Sequence, residues 1–244
     1  MFHAEGQEVA KLLRRKAVDE DFAPLVERIV SKAIENGLDP AVATTDVFAT
    51  AVLWVGSKSL SHVLACIDRM RIRLTELGSQ SDAARGQIIT SVIDYWAAHP
   101  GVALCIVEKL LNYSVLTPLS VVDWALVGAG SEHGRSLARP HIFEMVFNTV
   151  AKVTGWARLV AADVTVDPET KVADMEAVKA IFAALENILV GWADGSRVAD
   201  DDEDADAIMR WGQKWLRVFR RRAAMEEAIL AGSSKKGEAM DVGQ

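Results

Sequence analysis

Three long ribbons of apolar residues, recurring at intervals of three and four, constrain this chain more than anything else in it. The first is Ile142, Val146, Val150, Val153, Trp156 and Val160. The second is Met175, Val178, Phe182, Leu185, Leu189 and Trp192, and the third is Ile208, Trp211, Trp215, Val218, Met225 and Ile229. That period keeps one face of an α-helix apolar, and six turns of it run for about 30 Å. Such a face must be buried against another element, so the second half of the chain predicts long helices packed together. The motif "VDPET" turns the chain between the first two ribbons, and the acidic run "DDDEDAD" separates the second from the third.

The first half reads as shorter helices. Predicted spans are 3–17, then Asp21 and Pro24 to Asn36-Gly37, Pro40 to Gly56, Ser59 to Gly78, Asp82 to near Pro100, "VALCIVEKLLNYSVL", and Thr117-Pro118 to Gly128 and Gly130. Proline near the start of each helix and glycine at its end is the expected asymmetry. No segment demands a strand. The fold class is all-α, an α-solenoid of antiparallel helix pairs of the HEAT type. The predicted organisation is one helical-repeat domain over 1–232, with short helices in 1–130 and long helices in 139–232, followed by a disordered tail at 233–244.

Composition narrows the function classes. Of 244 residues half are hydrophobic and a quarter charged, a soluble globular balance. The longest apolar stretch, Ala41 to Gly56, is interrupted by Thr44, Thr45 and Asp46, so no bilayer span is expected. The N-terminus lacks the order of a secretory signal. Cys66 and Cys105 sit singly in apolar helical surroundings and read as buried thiols in a reducing compartment. A net charge of −7 argues against a broad nucleic-acid-binding face but leaves room for a local basic patch.

Several motifs suggest chemistry and lack its context. Gly56-Ser57-Lys58-Ser59 resembles the end of a phosphate loop, yet Ser57 and not glycine precedes Lys58, and the residue five positions before Gly56 is Ala51, so the first glycine is also missing. A helix corner is the better reading, with Gly56 left-handed and Ser57 or Ser59 capping the next helix. Asp200, Asp201 and Asp204 have the spacing by which all-α isoprenoid synthases hold magnesium and diphosphate, but no second metal motif faces them. They read instead as a solvated run complementing the dipole of the last helix. "GAGSEHG" has His133 in place of the third glycine of a dinucleotide loop and reads as a flexible connector. The five histidines show no metal spacing, and His62 is expected to make a core or interhelical hydrogen bond. Seven tryptophans all fall on apolar stripes and read as core. No catalytic, metal or cofactor-binding residue is expected, and no cofactor.

One surface signal remains. Lys214, Arg217, Arg220, Arg221 and Arg222 crowd one helix of an otherwise acidic chain. The cluster is either a solvated face with intrahelical ion pairs or a contact for an acidic partner or RNA phosphates.

Three segments carry a family resemblance: Val55-Gly56-Ser57-Lys58-Ser59-Leu60-Ser61-His62, Lys109-Leu110-Leu111-Asn112-Tyr113, and Val121-Val122-Asp123-Trp124-Ala125. With them the chain resembles the large subunit of the nuclear cap-binding complex, in its filamentous-fungal form. The likeness is to the C-terminal domain, itself similar to the middle domain of translation initiation factor 4G. The resemblance implies a non-enzymatic nuclear scaffold, able to shuttle to the cytoplasm. It would brace a small RNA-recognition-motif subunit that holds the cap, meet capped RNA only indirectly, and recruit splicing, export and decay factors, with no membrane partner. Gly56, Lys58, His62, Asn112 and Tyr113 would then be helix-junction signatures. The alternatives are another helical-repeat adaptor in translation initiation or mRNA decay and, more distantly, a magnesium-dependent isoprenoid synthase.

Overall fold

A computed structural model describes residues 1–241, with side chains described as far as residue 232. Of the tail expected to be disordered over 233–244, residues 233–241 belong to the last helix and 242–244 lie outside the described residues. Among them there is no strand, and the all-α expectation holds. The chain divides into two compact units, Met1–Trp124 and Ala125–Gln244.

The first unit is built around one helix. Its helices are α1 (His3–Arg15), α2 (Ala23–Glu35), α3 (Pro40–Gly56), α4 (Leu60–Ser79), α5 (Asp82–Tyr95) and α6 (Pro100–Asn112), with α7 (Pro118–Leu126) at the boundary. Helix α3 packs on α1, α2, α4 and α5. It is therefore apolar nearly all round, burying Val47, Phe48, Ala51, Val52 and Leu53. Even its polar Thr44 is buried, with its hydroxyl donating to the Pro40 carbonyl at 2.7 Å.

Local signals place most helix ends. Asp39 caps α3 by accepting from Ala41 N and Val42 N, and Pro40 follows at the first helical position. Gly37, with φ +67°, closes the turn after α2 as expected. Helix α5 differs from expectation at both ends. Its cap is Ser81, which accepts from Ala84 N at 3.0 Å, while Asp82 is already helical. It stops at Tyr95, and Pro100 opens α6 rather than closing α5, because a proline needs no donor at a helix start. Helix α6 stops at Asn112, short of the expected Leu116, as Ser114 turns left-handed with φ 57°.

The second unit holds the long helices α8 (Pro140–Ala162), α9 (Pro168–Ala193) and α10 (Ala205–Asp241), which pack on one another. Ala157, Val178 and Leu230 bring the three together, with Val153 and Phe182 beside them. Nearer the start of α10, Phe143 meets Trp215 edge-on at 4.9 Å between ring centres, and Phe219 tilts against both. Trp215 Nε1 donates to the Leu137 carbonyl at 3.0 Å, and Trp192 Nε1 to the Leu126 carbonyl at 2.9 Å. Both indoles thus bury their rings without stranding a donor.

The segment expected to be a flexible connector is instead packed. Residues Ala129–Ala138 form tight 3₁₀ turns about a left-handed kink at Glu132, His133 and Gly134. A side-chain carbon on Gly134 would stand 2.6 Å from Ile208 Cγ2 and 2.9 Å from Trp192 Cζ3, so glycine lets the kink lie against α9 and α10. Ser136 is buried and donates to the Ala125 carbonyl at 2.9 Å.

Candidate partner-binding surface

The basic cluster lies on α10, and its five cations are not equivalent. Helix α10 turns Ile208, Trp215, Phe219, Glu226 and Leu230 inward. A helix advances by about 100° per residue, so Arg222 falls beside that inner face and the others point outward. Arg222 is half-buried, with its guanidinium over the Phe147 ring at 5.5 Å and Nε 2.7 Å from Glu226 Oε1. Glu226 is fully buried and also meets Arg158 Nη2 at 3.0 Å. Two cations therefore hold one interior carboxylate, joining α8 to α10. Arg220 pairs with Glu186 on α9 at 2.8 Å, both side chains half in water. These two arginines fasten the unit together.

Lys214, Arg217 and Arg221 are different. All three are exposed, and none pairs with a carboxylate among the described residues. The Lys214 ammonium rests over the Trp211 ring at 4.2 Å. These three cations are available to a partner.

The acidic run ahead of α10 is bound to its own unit. Arg135 holds Asp202 at 2.8 Å and Asp204 at 3.0 Å. Asp202 Oδ1 accepts from Asp204 N, and the Asp204 carbonyl accepts from Ala207 and Ile208 N. The run thus nucleates the first turn of α10 and sets its negative charge at the positive end of the helix. No group of three or more His, Cys, Asp and Glu side chains is placed to hold a metal ion among the described residues. Nor is any helix among them long and apolar enough to cross a membrane.

The helix-junction residues gather along α4. Gly56 is not left-handed, contrary to expectation. It remains helical, and any side chain there would collide with Val63 of α4, so glycine serves a close helix crossing. Ser59 is the cap of α4, accepting from His62 N at 3.3 Å. His62 is exposed rather than buried, and its Nδ1 lies 2.8 Å from the same Ser59 hydroxyl. The bond is local because the cap and the third residue of a helix are neighbours. Lys58 is exposed in the turn. At the far end of α6, Asn112 closes the helix and Tyr113 donates its hydroxyl to Asp68 of α4. Lys109 sits over the Tyr113 ring at 4.4 Å.

Two other burial expectations need correction. Cys66 is buried, but Cys105 is exposed on α6. Trp124, Trp192 and Trp215 are core, Trp96 is half-buried, and Trp54, Trp156 and Trp211 are exposed. An apolar stripe wider than the face a helix buries leaves its margin in water.

Residues 1–228 match the family described as MIF4G like. A protein named nuclear cap-binding protein subunit 1 from Aedes aegypti is 26% identical over 155 residues, which is 62% of this chain and 19% of that protein. Its namesake from Anopheles gambiae matches to the same extent. That of Schizosaccharomyces pombe is 21% identical over 124 residues, 51% of this chain and 16% of its own length. The chain spans about a fifth of the length of these relatives.

Proposed function

We propose, from the premise that this chain belongs to the MIF4G-like family of helical solenoids, that it is a scaffold domain of a nuclear cap-binding complex large subunit. Family and relatives favour an adaptor over an enzyme. In this reading the chain supports a small RNA-recognition-motif subunit that holds the cap, works in the nucleus, and offers surfaces to splicing, export and decay factors. The observation that carries the reading is the match of residues 1–228 to one family, together with relatives that bear the cap-binding subunit's name. Within it, the unpaired cations Lys214, Arg217 and Arg221 are the partner-facing part of the basic cluster. Arg220 and Arg222 serve the fold. Gly56, Lys58, His62, Asn112 and Tyr113 serve the helix junctions.

Affinity purification from nuclear extract, with and without cap analogue, tests this role. An RNA-recognition-motif protein retained together with capped RNA is the expected result. Retention of a translation helicase in its place would favour the second reading, an adaptor in translation or mRNA decay.

A further inference from the structure

Helix α10 carries a second ribbon along the exposed edge of its buried face, and it has a regular form. Trp211, Lys214, Val218, Arg221 and Met225 follow one another at steps of three, four, three and four, and all are exposed. The apolar members fall one heptad apart, with exposures of 38% at Trp211, 39% at Val218 and 45% at Met225. A cation stands between each pair, and Arg217 lies beside the row. The row is about 21 Å long. At its head a cavity of about 350 Å³ opens between Trp211, Val218, Pro140 and Phe143.

The row alternates apolar residues with cations at the spacing of a helix–helix seam. A step of three and four lets a second helix run alongside and stay in register. The apolar members need apolar partners, and the unpaired cations need carboxylates. The cavity takes one large apolar anchor. We infer that the outer row of α10 docks an amphipathic helix of a partner protein, with leucine-like residues on its seam and glutamate or aspartate beside them. This deepens the proposed scaffold role and rests on reading α10 as the partner-facing helix.

RNA is a poorer occupant. Phosphates would meet three cations but gain nothing from exposed Val218 and Met225, and the chain's net charge of −7 repels a polyanion elsewhere.

The test uses the whole chain and synthetic helical peptides of about three heptads, with leucine on the seam and glutamate beside it. A second peptide carries lysine in place of glutamate, and a single-stranded uridine oligonucleotide is the third probe. Fluorescence anisotropy should show the acidic peptide bound and the lysine peptide at least about tenfold weaker. Val218→Asp should abolish binding. The combined reversal Lys214→Glu, Arg217→Glu and Arg221→Glu should exchange the preference, so that the lysine peptide now binds. A gain of that kind is not produced by misfolding. Equal binding of the two peptides, or no binding of the acidic one, overturns the inference. So does an oligonucleotide that binds more tightly than the acidic peptide and is lost on the same reversal. If the acidic peptide fails while nuclear extract still yields the RNA-recognition-motif protein, only the docking inference falls. If the peptide binds and no such protein is retained, only the complex assignment falls.

Discussion

Gly56 at the end of α3 lies directly against Val63 of α4: a side-chain carbon on Gly56 would stand 2.8 Å from Val63 Cβ and 2.9 Å from its backbone nitrogen. The obstacle includes main chain, which cannot swing aside as a long side chain does. Gly56→Ala should therefore destabilise the chain by about 1–3 kcal/mol through overpacking, although alanine is the better helix former. Gly101→Ala is the control, since nothing lies within 4 Å of that position. It should be neutral or stabilising by up to about 1 kcal/mol. Urea denaturation followed by tryptophan fluorescence separates the two. An unchanged midpoint in Gly56→Ala would contradict the close crossing.

The buried carboxylate of Glu226 leads to a second expectation. Arg158 and Arg222 converge on it, yet its Oε2 has no hydrogen-bond partner among the described residues. Glu226→Ala leaves two cations facing each other with no carboxylate between them. The loss should be about 3 kcal/mol, at the low end for a broken buried pair because both guanidiniums keep a path to water. Glu226→Gln should lose less, since it keeps an acceptor. A loss below about 1 kcal/mol in the alanine variant would mark the pair as an ordinary surface contact.

His141 makes stability depend on pH. It is half-buried at the start of α8, and burial lowers its pKa below the ordinary 6.5. Arg139 adds to the lowering, while Glu132 opposes it. The neutral ring is the form the fold accepts. Its contribution is complete above about pH 6.5, where the unfolded chain is also neutral, and is lost as pH falls toward the depressed folded value. Thermal melts of the wild type should drop across that window. His141→Gln should flatten this part of the profile, and an unchanged slope would remove His141 as its source.

Much of this fold is legible in the sequence. The ribbon on α9 is correct almost residue for residue, because Val178, Leu185, Leu189 and Trp192 share one buried side. The ribbon read on α10 mixes two faces. Ile208 and Trp215 point inward, whereas Trp211, Val218 and Met225 point out. Spacing alone joins them because steps of three and four suit an inner core and an outer seam equally well. The basic cluster is likewise visible as composition, but its division is not. Which cation is spent on Glu186 or Glu226 depends on helices distant in sequence. The left-handed expectation at Gly56 fails for a similar reason, since a close crossing and a left-handed cap both call for glycine.

A partner seated on the outer row of α10, as proposed, must cover that row. Amide and side-chain protection in the complex isolated from nuclear extract reads out that cover. Hydrogen exchange and arginine-directed labelling should show residues 211–225, with Arg217 and Arg221, becoming protected when the partner is present, while α3 is unchanged. Protection confined to the first unit, with α10 as exposed as in the chain alone, would remove α10 as the partner face.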